Sequence, residues 1–194
     1  TLALVAYGCD RSPPGPLEIL EIDNAAAPGS AEPHLSVGGD GTTVLSWIEP
    51  RENADALMFS TYDGGSWSPA RTVVEGTDWF VSWADPPSVV PILGDLWAAH
   101  WMRNQPDSYF ALDVVFALST DAGATWQTPE VLHRDGTESE HGFVSLFPQQ
   151  GQVAAVWLDG GNYIQDGVYL YEDADGNLLG PGLHYAQYAA TGER

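Results

Sequence analysis

The sequence predicts an all-β fold, a β-propeller assembled from four-stranded antiparallel blades. Three observations predict it. Short apolar segments of strand character recur in groups of four, each group spanning roughly 50 residues. Trp47, Trp101 and Trp157 close the second segment of successive groups, 54 and then 56 residues apart. Two turn motifs, Thr61-x-Asp63-x-Gly65-x-Trp67 and Ser119-x-Asp121-x-Gly123-x-Thr125-Trp126, sit at matching places in the first two groups. Evenly spaced strands in a β-sandwich would not repeat tryptophans and turn motifs together.

The first group comprises Pro33–Val37, Thr43–Trp47, Ala56–Ser60 and Arg71–Val74. The second comprises Pro87–Val90, Leu96–Trp101, Ala111–Leu118 and Glu130–Leu132. The third holds Gly142–Leu146, Val153–Trp157, a long insertion and Leu183–Tyr188, and the chain stops where its own turn should begin. Leu35, Val89 and Val144 mark the first strands, at intervals of 54 and 55. Each turn motif follows a third strand and reads as a hairpin that fastens itself. Its Asp accepts hydrogen bonds from turn amides, Gly123 supplies a backbone shape that other residues resist, and Trp126 buries its ring beneath the turn.

Composition agrees with many short strands and tight turns. The 194 residues are 44% hydrophobic and include 21 Gly, 14 Pro and eight Trp, enough for a sizeable core. Acidic residues number 27 against six Arg and no Lys, a net charge of −21. Such a surface repels phosphate backbones and anionic lipid, which argues against nucleic acid as a partner. No stretch approaches the ~20 apolar residues of a membrane-spanning helix.

The single cysteine excludes a disulfide framework within the chain. Its setting is Leu2-Ala-Leu-Val-Ala-Tyr-Gly-Cys9, followed by Asp10-Arg-Ser-Pro-Pro-Gly-Pro16. This resembles the end of a bacterial lipoprotein signal, which implies lipidation at Cys9 and membrane contact only through that anchor. The alternative is an apolar terminus that frays. Residues 1–9 are thus read as the end of a signal and 10–31 as a Pro/Ala/Gly-rich tether, whose patch Leu17–Ile22 adds a strand. Residues 32–194 form a partial propeller, expected to be the N-terminal half of a longer protein.

The paired turn motifs resemble the Asp box of the BNR repeats found in sialidases and many other propellers. Asp78-Trp-Phe-Val-Ser-Trp-Ala-Asp85, Glu140-His-Gly-Phe-Val-Ser-Leu-Phe147 and Ala155-Val-Trp-Leu-Asp-Gly160 resemble segments of bacterial exo-α-sialidase-like proteins, often lipoproteins. The resemblance implies six blades in the complete molecule and places the protein in the cell envelope or outside the cell. It also implies that Thr61, Asp63, Gly65, Trp67, Ser119, Asp121, Gly123 and Trp126 are structural and remote from any active site.

Strand alternation then assigns faces. Loops joining strands two to three and four to one share the face where propeller pockets form. Trp79, Trp83, Asp85, Arg134 and His141 fall on that face and are the candidate ligand-binding residues. Aromatic platforms beside carboxylates suit a glycan, while Trp79 and Trp83 packed between blades is the structural alternative. A true sialidase clamps a substrate carboxylate with three arginines and uses a Tyr–Glu nucleophile and an Asp acid. No Arg stands near Pro33-His34-Leu35, where that family's Arg-Ile-Pro signature is expected, and Arg51, Arg103 and Arg134 do not match its triad. No catalytic residue can therefore be assigned.

His133, Asp135, Glu138 and His141 form a loose group without fixed ligand geometry, and Asp173-Ala-Asp-Gly-Asn177 reads as an ordinary hairpin turn. Neither a metal nor a cofactor is expected. Three functions remain open: binding of a glycan or other ligand at the channel face, glycoside hydrolysis, or a protein interaction platform. An acidic face without clustered arginines favours neutral or cationic ligands.

Overall fold

A computed structural model of the chain describes residues 18–106, 111–165, 168–170 and 172–188. Blade 1 contains β1 (Ala31–Val37), β2 (Thr43–Pro50), β3 (Asp55–Tyr62) and β4 (Arg71–Gly76), in sheet order β1-β2-β3-β4. Blade 2 contains β5 (Ser88–Leu93), β6 (Leu96–Asn104), β7 (Leu112–Ser119) and β8 (Glu130–Val131), again in sequence order. All neighbouring strands in these two blades are antiparallel. Blade 3 has three strands among the described residues: β9 (His141–Gln149), β10 (Gln152–Asp159) and β13 (Gly182–Tyr188). Between β10 and β13 lie a one-turn 3-10 helix (Gly160–Tyr163) and the short hairpin β11 (Ile164–Gln165) and β12 (Val168–Tyr169).

Period-two alternation explains how the blades stack. In β6, Trp97, Ala99 and Trp101 project into the layer shared with Val44, Ile48, Leu57 and Phe59 of blade 1. The intervening Leu96, Ala98 and Met102 project into the layer shared with Leu146, Val153 and Trp157 of blade 3. A central blade is therefore apolar on both faces, like a parallel-sheet strand, although its pairing is antiparallel. Each large apolar side chain buried this way is worth about 1.5–3 kcal/mol.

Trp47, Trp101 and Trp157 each sit on the second strand of their blade and are 2–3% exposed. Trp101 and Trp157 face the preceding blade. Trp47 is packed instead by Ala25 and Ala26, so the end of the tether covers the outer side of blade 1. The first strands β1, β5 and β9 are neighbours and form the inner edge. Ser36 Oγ on β1 donates to Val89 O on β5 at 2.6 Å, and Val89 N donates to Ser46 Oγ at 3.2 Å.

The apolar patch of the tether departs from expectation. Residues 18–24 form no strand, and Ile19 and Leu20 are exposed, so this part of the patch adds nothing to a sheet. With Glu18 and Glu21 interleaved, it offers only three apolar side chains (Ile19, Leu20 and Ile22), too few to offset the ordering of a further strand. The signal segment 1–9, Cys9 and residues 10–17 of the tether lie outside the described residues.

Candidate functional site

Consecutive antiparallel strands place the β3–β4 and β7–β8 turns at one end of the blades. The β4–β5 loop (77–87), the described ends of the β6–β7 connection (105–106 and 111) and the β8–β9 loop (132–140) lie at the other. At the turn end, Asp63 Oδ1 accepts from the amides of Gly65 (2.9 Å) and Ser66 (2.8 Å). Asp121 accepts from Thr125 N (2.8 Å) and Thr125 Oγ1 (2.6 Å), while Ser119 Oγ donates to Asp121 Oδ1 and accepts from Gly123 N. These bonds stabilise the ionised carboxylate and hold the Asp121 pKa down at about 2. The left-handed residues are Gly64 in the first turn and Ala122 and Gly123 in the second, so Gly65 itself needs no special backbone. The Trp126 ring lies edge-on to Phe59 of blade 1, 6.1 Å between centroids, and so packs between blades.

At the loop end, β9 begins in a dense polar cluster. His141 is fully buried, and its Nδ1 lies 3.0 Å from both Leu112 O and Ser139 O. Its Nε2 faces Asp135 (Oδ1 3.2 Å, Oδ2 3.3 Å) and Asp159 Oδ1 (3.5 Å). The His133 ring stacks on His141 with centroids 3.5 Å apart and an interplanar angle of 7°. His133 Nδ1 meets Asp135 Oδ1 at 2.8 Å. Burial and the neighbouring His141 lower the His133 pKa, although the adjacent carboxylates oppose this. Burial alone would raise Asp135, but hydrogen bonds from Thr137 and His133 bring it below the usual carboxylate range. The loose histidine group expected from sequence is thus a tight one, while Glu138 stays outside it and exposed.

Two clefts flank the segment 136–143. The outer one, about 390 Å³, is lined by Gln105, Asp113, His133, Arg134, Thr137 and Glu138. The inner one, about 310 Å³, is lined by Glu140, Phe143, Leu158, Tyr163 and Pro181, with glycines at 142 and 160. Phe143 is half exposed and adopts φ 53°, a region in which a bulky residue is an outlier. Asp85, 8% exposed, accepts the Phe143 amide and pins it there. Burial raises the Asp85 pKa, partly offset by that bond.

The other sequence candidates divide. Trp83 is 87% exposed and Arg134 lines the outer cleft. Trp79 is buried, stacked on Trp101 at 5.8 Å, and its backbone pairs with the end of β6, so it offers no free face. His141 is likewise enclosed, beneath the two clefts rather than in the wall of either. Arg51 pairs with Glu49 and Glu75, and Arg103 with Asp113 and Asp78. Asp113, Asp159, Phe143 and Tyr163 were not among the candidates. Phe143 and Asp159 lie in segments that carried the family resemblance, and Asp113 left a local signal of its own: a charge inside the otherwise apolar run of β7.

No protein-family model matches the chain, and no curated protein matches it. Solved structures do. One is the α-L-arabinanase of Penicillium chrysogenum complexed with arabinobiose, at 12% identity and TM-score 0.52, covering 82% of this chain and 46% of that one. Another is the endo-arabinase of Bacteroides thetaiotaomicron VPI-5482, at 13% identity and TM-score 0.52, covering 85% and 58%. The chain thus spans about half the length of these structures. The NanB sialidase of Streptococcus pneumoniae is a looser likeness, at 14% identity and TM-score 0.36, covering 60% and 17%. The fold class is a β-propeller, with two four-stranded blades and a three-stranded third sheet among the described residues. The likeness extends to fold alone.

Proposed function

We propose that the chain is part of an extracytoplasmic propeller that binds a neutral glycan in the inner cleft. The observation that carries this is Phe143, held half exposed in a strained backbone by Asp85, beside Glu140 and Tyr163. Strain persists where surrounding contacts over-determine it, and such positions concentrate at ligand sites. An aromatic face next to a carboxylate suits a sugar ring, whose C–H face stacks and whose hydroxyls donate. Arabinanases with this fold support the substrate class. The acidic surroundings support a neutral ligand over an anionic one. The sequence around Cys9 and the paired Asp turns support placement among Asp-box lipoproteins of the cell envelope.

The test is titration calorimetry with arabinotriose, cellotriose and sialyllactose. Saturable binding of a neutral sugar, lost in Phe143→Ala without loss of fold, is the expected outcome. Binding of sialyllactose alone, or neutral binding untouched by Phe143→Ala, overturns the proposal. Glycoside hydrolysis is the second reading, favoured by the raised pKa of Asp85, and release of reducing sugar would reveal it.

A further inference from the structure

The two acceptors at His141 Nδ1 are backbone carbonyls, so Nδ1 carries a proton. In the neutral ring, the Nε2 lone pair then points at the carboxylates of Asp135 and Asp159. A buried lone pair facing the buried Asp159 and the partly exposed Asp135 calls for a cation between them. A proton on Nε2 would neutralise one charge only. Asp159 is 4% exposed and its Oδ2 has no hydrogen-bond partner, His184 Nδ1 standing off at 3.6 Å. A single imidazolium at His141 leaves that oxygen unanswered.

We propose that His141 Nε2 and the carboxylates of Asp135 and Asp159 bind a first-row divalent metal ion of the zinc type, which gives the orphaned Asp159 carboxylate a cationic partner. Metal bonds of about 2.0–2.2 Å put neighbouring ligand atoms about 3.0–3.5 Å apart. The observed separations from Nε2 are 3.2, 3.3 and 3.5 Å. One imidazole with two carboxylates suits zinc or manganese better than calcium or magnesium. The outer contacts resemble those that orient metal ligands: backbone carbonyls on His141 Nδ1, Thr137 on Asp135, and Gly161 N on Asp159 at 2.8 Å.

His133, Asp135 and His141 have ligand atoms all within 4.8 Å of one another, and Asp159 joins this group through His141 Nε2 at 3.5 Å. The His133 ring is parallel to His141 at 3.5 Å, so an ion in the plane of one ring lies outside the plane of the other. His133 therefore acts as the hydrogen-bond partner of Asp135 rather than as a ligand. Gly161 keeps the space open: a Cβ there would lie 2.9 Å from Asp159 Oδ1 and 3.5 Å from both Asp135 Oδ2 and Thr137 Oγ1. The ion would tie the β8–β9 loop to the start of the blade 3 insertion, beneath the segment that separates the two clefts.

The experiment is calorimetric titration of untagged, EDTA-treated and dialysed full chain with ZnCl2, accompanied by Co2+ absorption spectroscopy. Expected are one saturable site and cobalt d–d bands, with affinity weakened at least about tenfold in Asp159→Asn and in His141→Asn. Asp159→Asn is close in shape, so it decides the matter if His141→Asn fails to fold. Absence of saturable binding in folded wild type, or unchanged affinity in Asp159→Asn, overturns the proposal. Neither outcome depends on whether a glycan binds.

Discussion

Asp85, at the end of the β4–β5 loop, accepts the backbone N–H of Phe143 on β9, 58 residues away. This bond joins the inner edges of blades 2 and 3 and sets the backbone of the inner cleft. Asp85→Ala should cost about 1–3 kcal/mol by stranding the amide, and Asp85→Asn, which keeps an acceptor, clearly less. Urea unfolding measures both; equal losses would show that the bond is not what matters.

The same carboxylate has a signed pH effect. Its folded pKa is raised, so its favourable contribution is present at pH below the ordinary value of 3.8 and is lost as pH rises through the folded value. The stability of wild type relative to Asp85→Asn should therefore fall as pH increases across that window. A difference that grew instead would reverse the assigned cause.

His100 acts in the opposite sense. It is 2% exposed, bonded to Ser88 Oγ at 2.7 Å, and burial first, then His34, push its pKa down to about 3. It stays neutral while the unfolded ring protonates, so its contribution is present above pH 6.5 and is lost as pH falls towards 3. NMR should show its ring signals unmoved from about pH 8 to about pH 4. Titration near the ordinary histidine range would show that the site is wet.

Gly123 has φ 74°, and a Cβ there would lie 2.8 Å from Phe59 Cζ and 3.3 Å from Trp97 Cε3. Gly123→Ala should cost about 2–4 kcal/mol, from left-handed strain and overpacking together. Gly65→Ala, at ordinary φ and 3.7 Å from its nearest neighbour, should cost under about 1 kcal/mol. Comparable losses at both positions would mean that the two turns are not distinguished by packing.

Sialoside turnover should be absent. A sialic acid carboxylate needs charge-assisted partners to leave water. Arg51 and Arg103 are already engaged by acidic side chains, while Arg134 lines the outer cleft. A fluorogenic sialoside assay between about pH 5 and 7 should give no signal. Turnover abolished by Arg134→Ala would show that one arginine suffices.

Strand order, blade boundaries and the three equivalent tryptophans were legible in the sequence, because each depends on local alternation and on turns built from neighbouring residues. Asp63 and Asp121 satisfy amides two to four residues away, and such bonds leave a pattern in the chain. The site had no such pattern. Asp85 meets Phe143 and His141 meets Leu112 only after the blades stack, while Asp159 meets His141 across the β9–β10 pairing within blade 3. Trp79 and Trp83, four residues apart and alike in sequence, were separated by stacking alone: one lies against Trp101 and the other in solvent. Burial and long-range contact decide which side chains are free to bind, and neither is a property of local sequence.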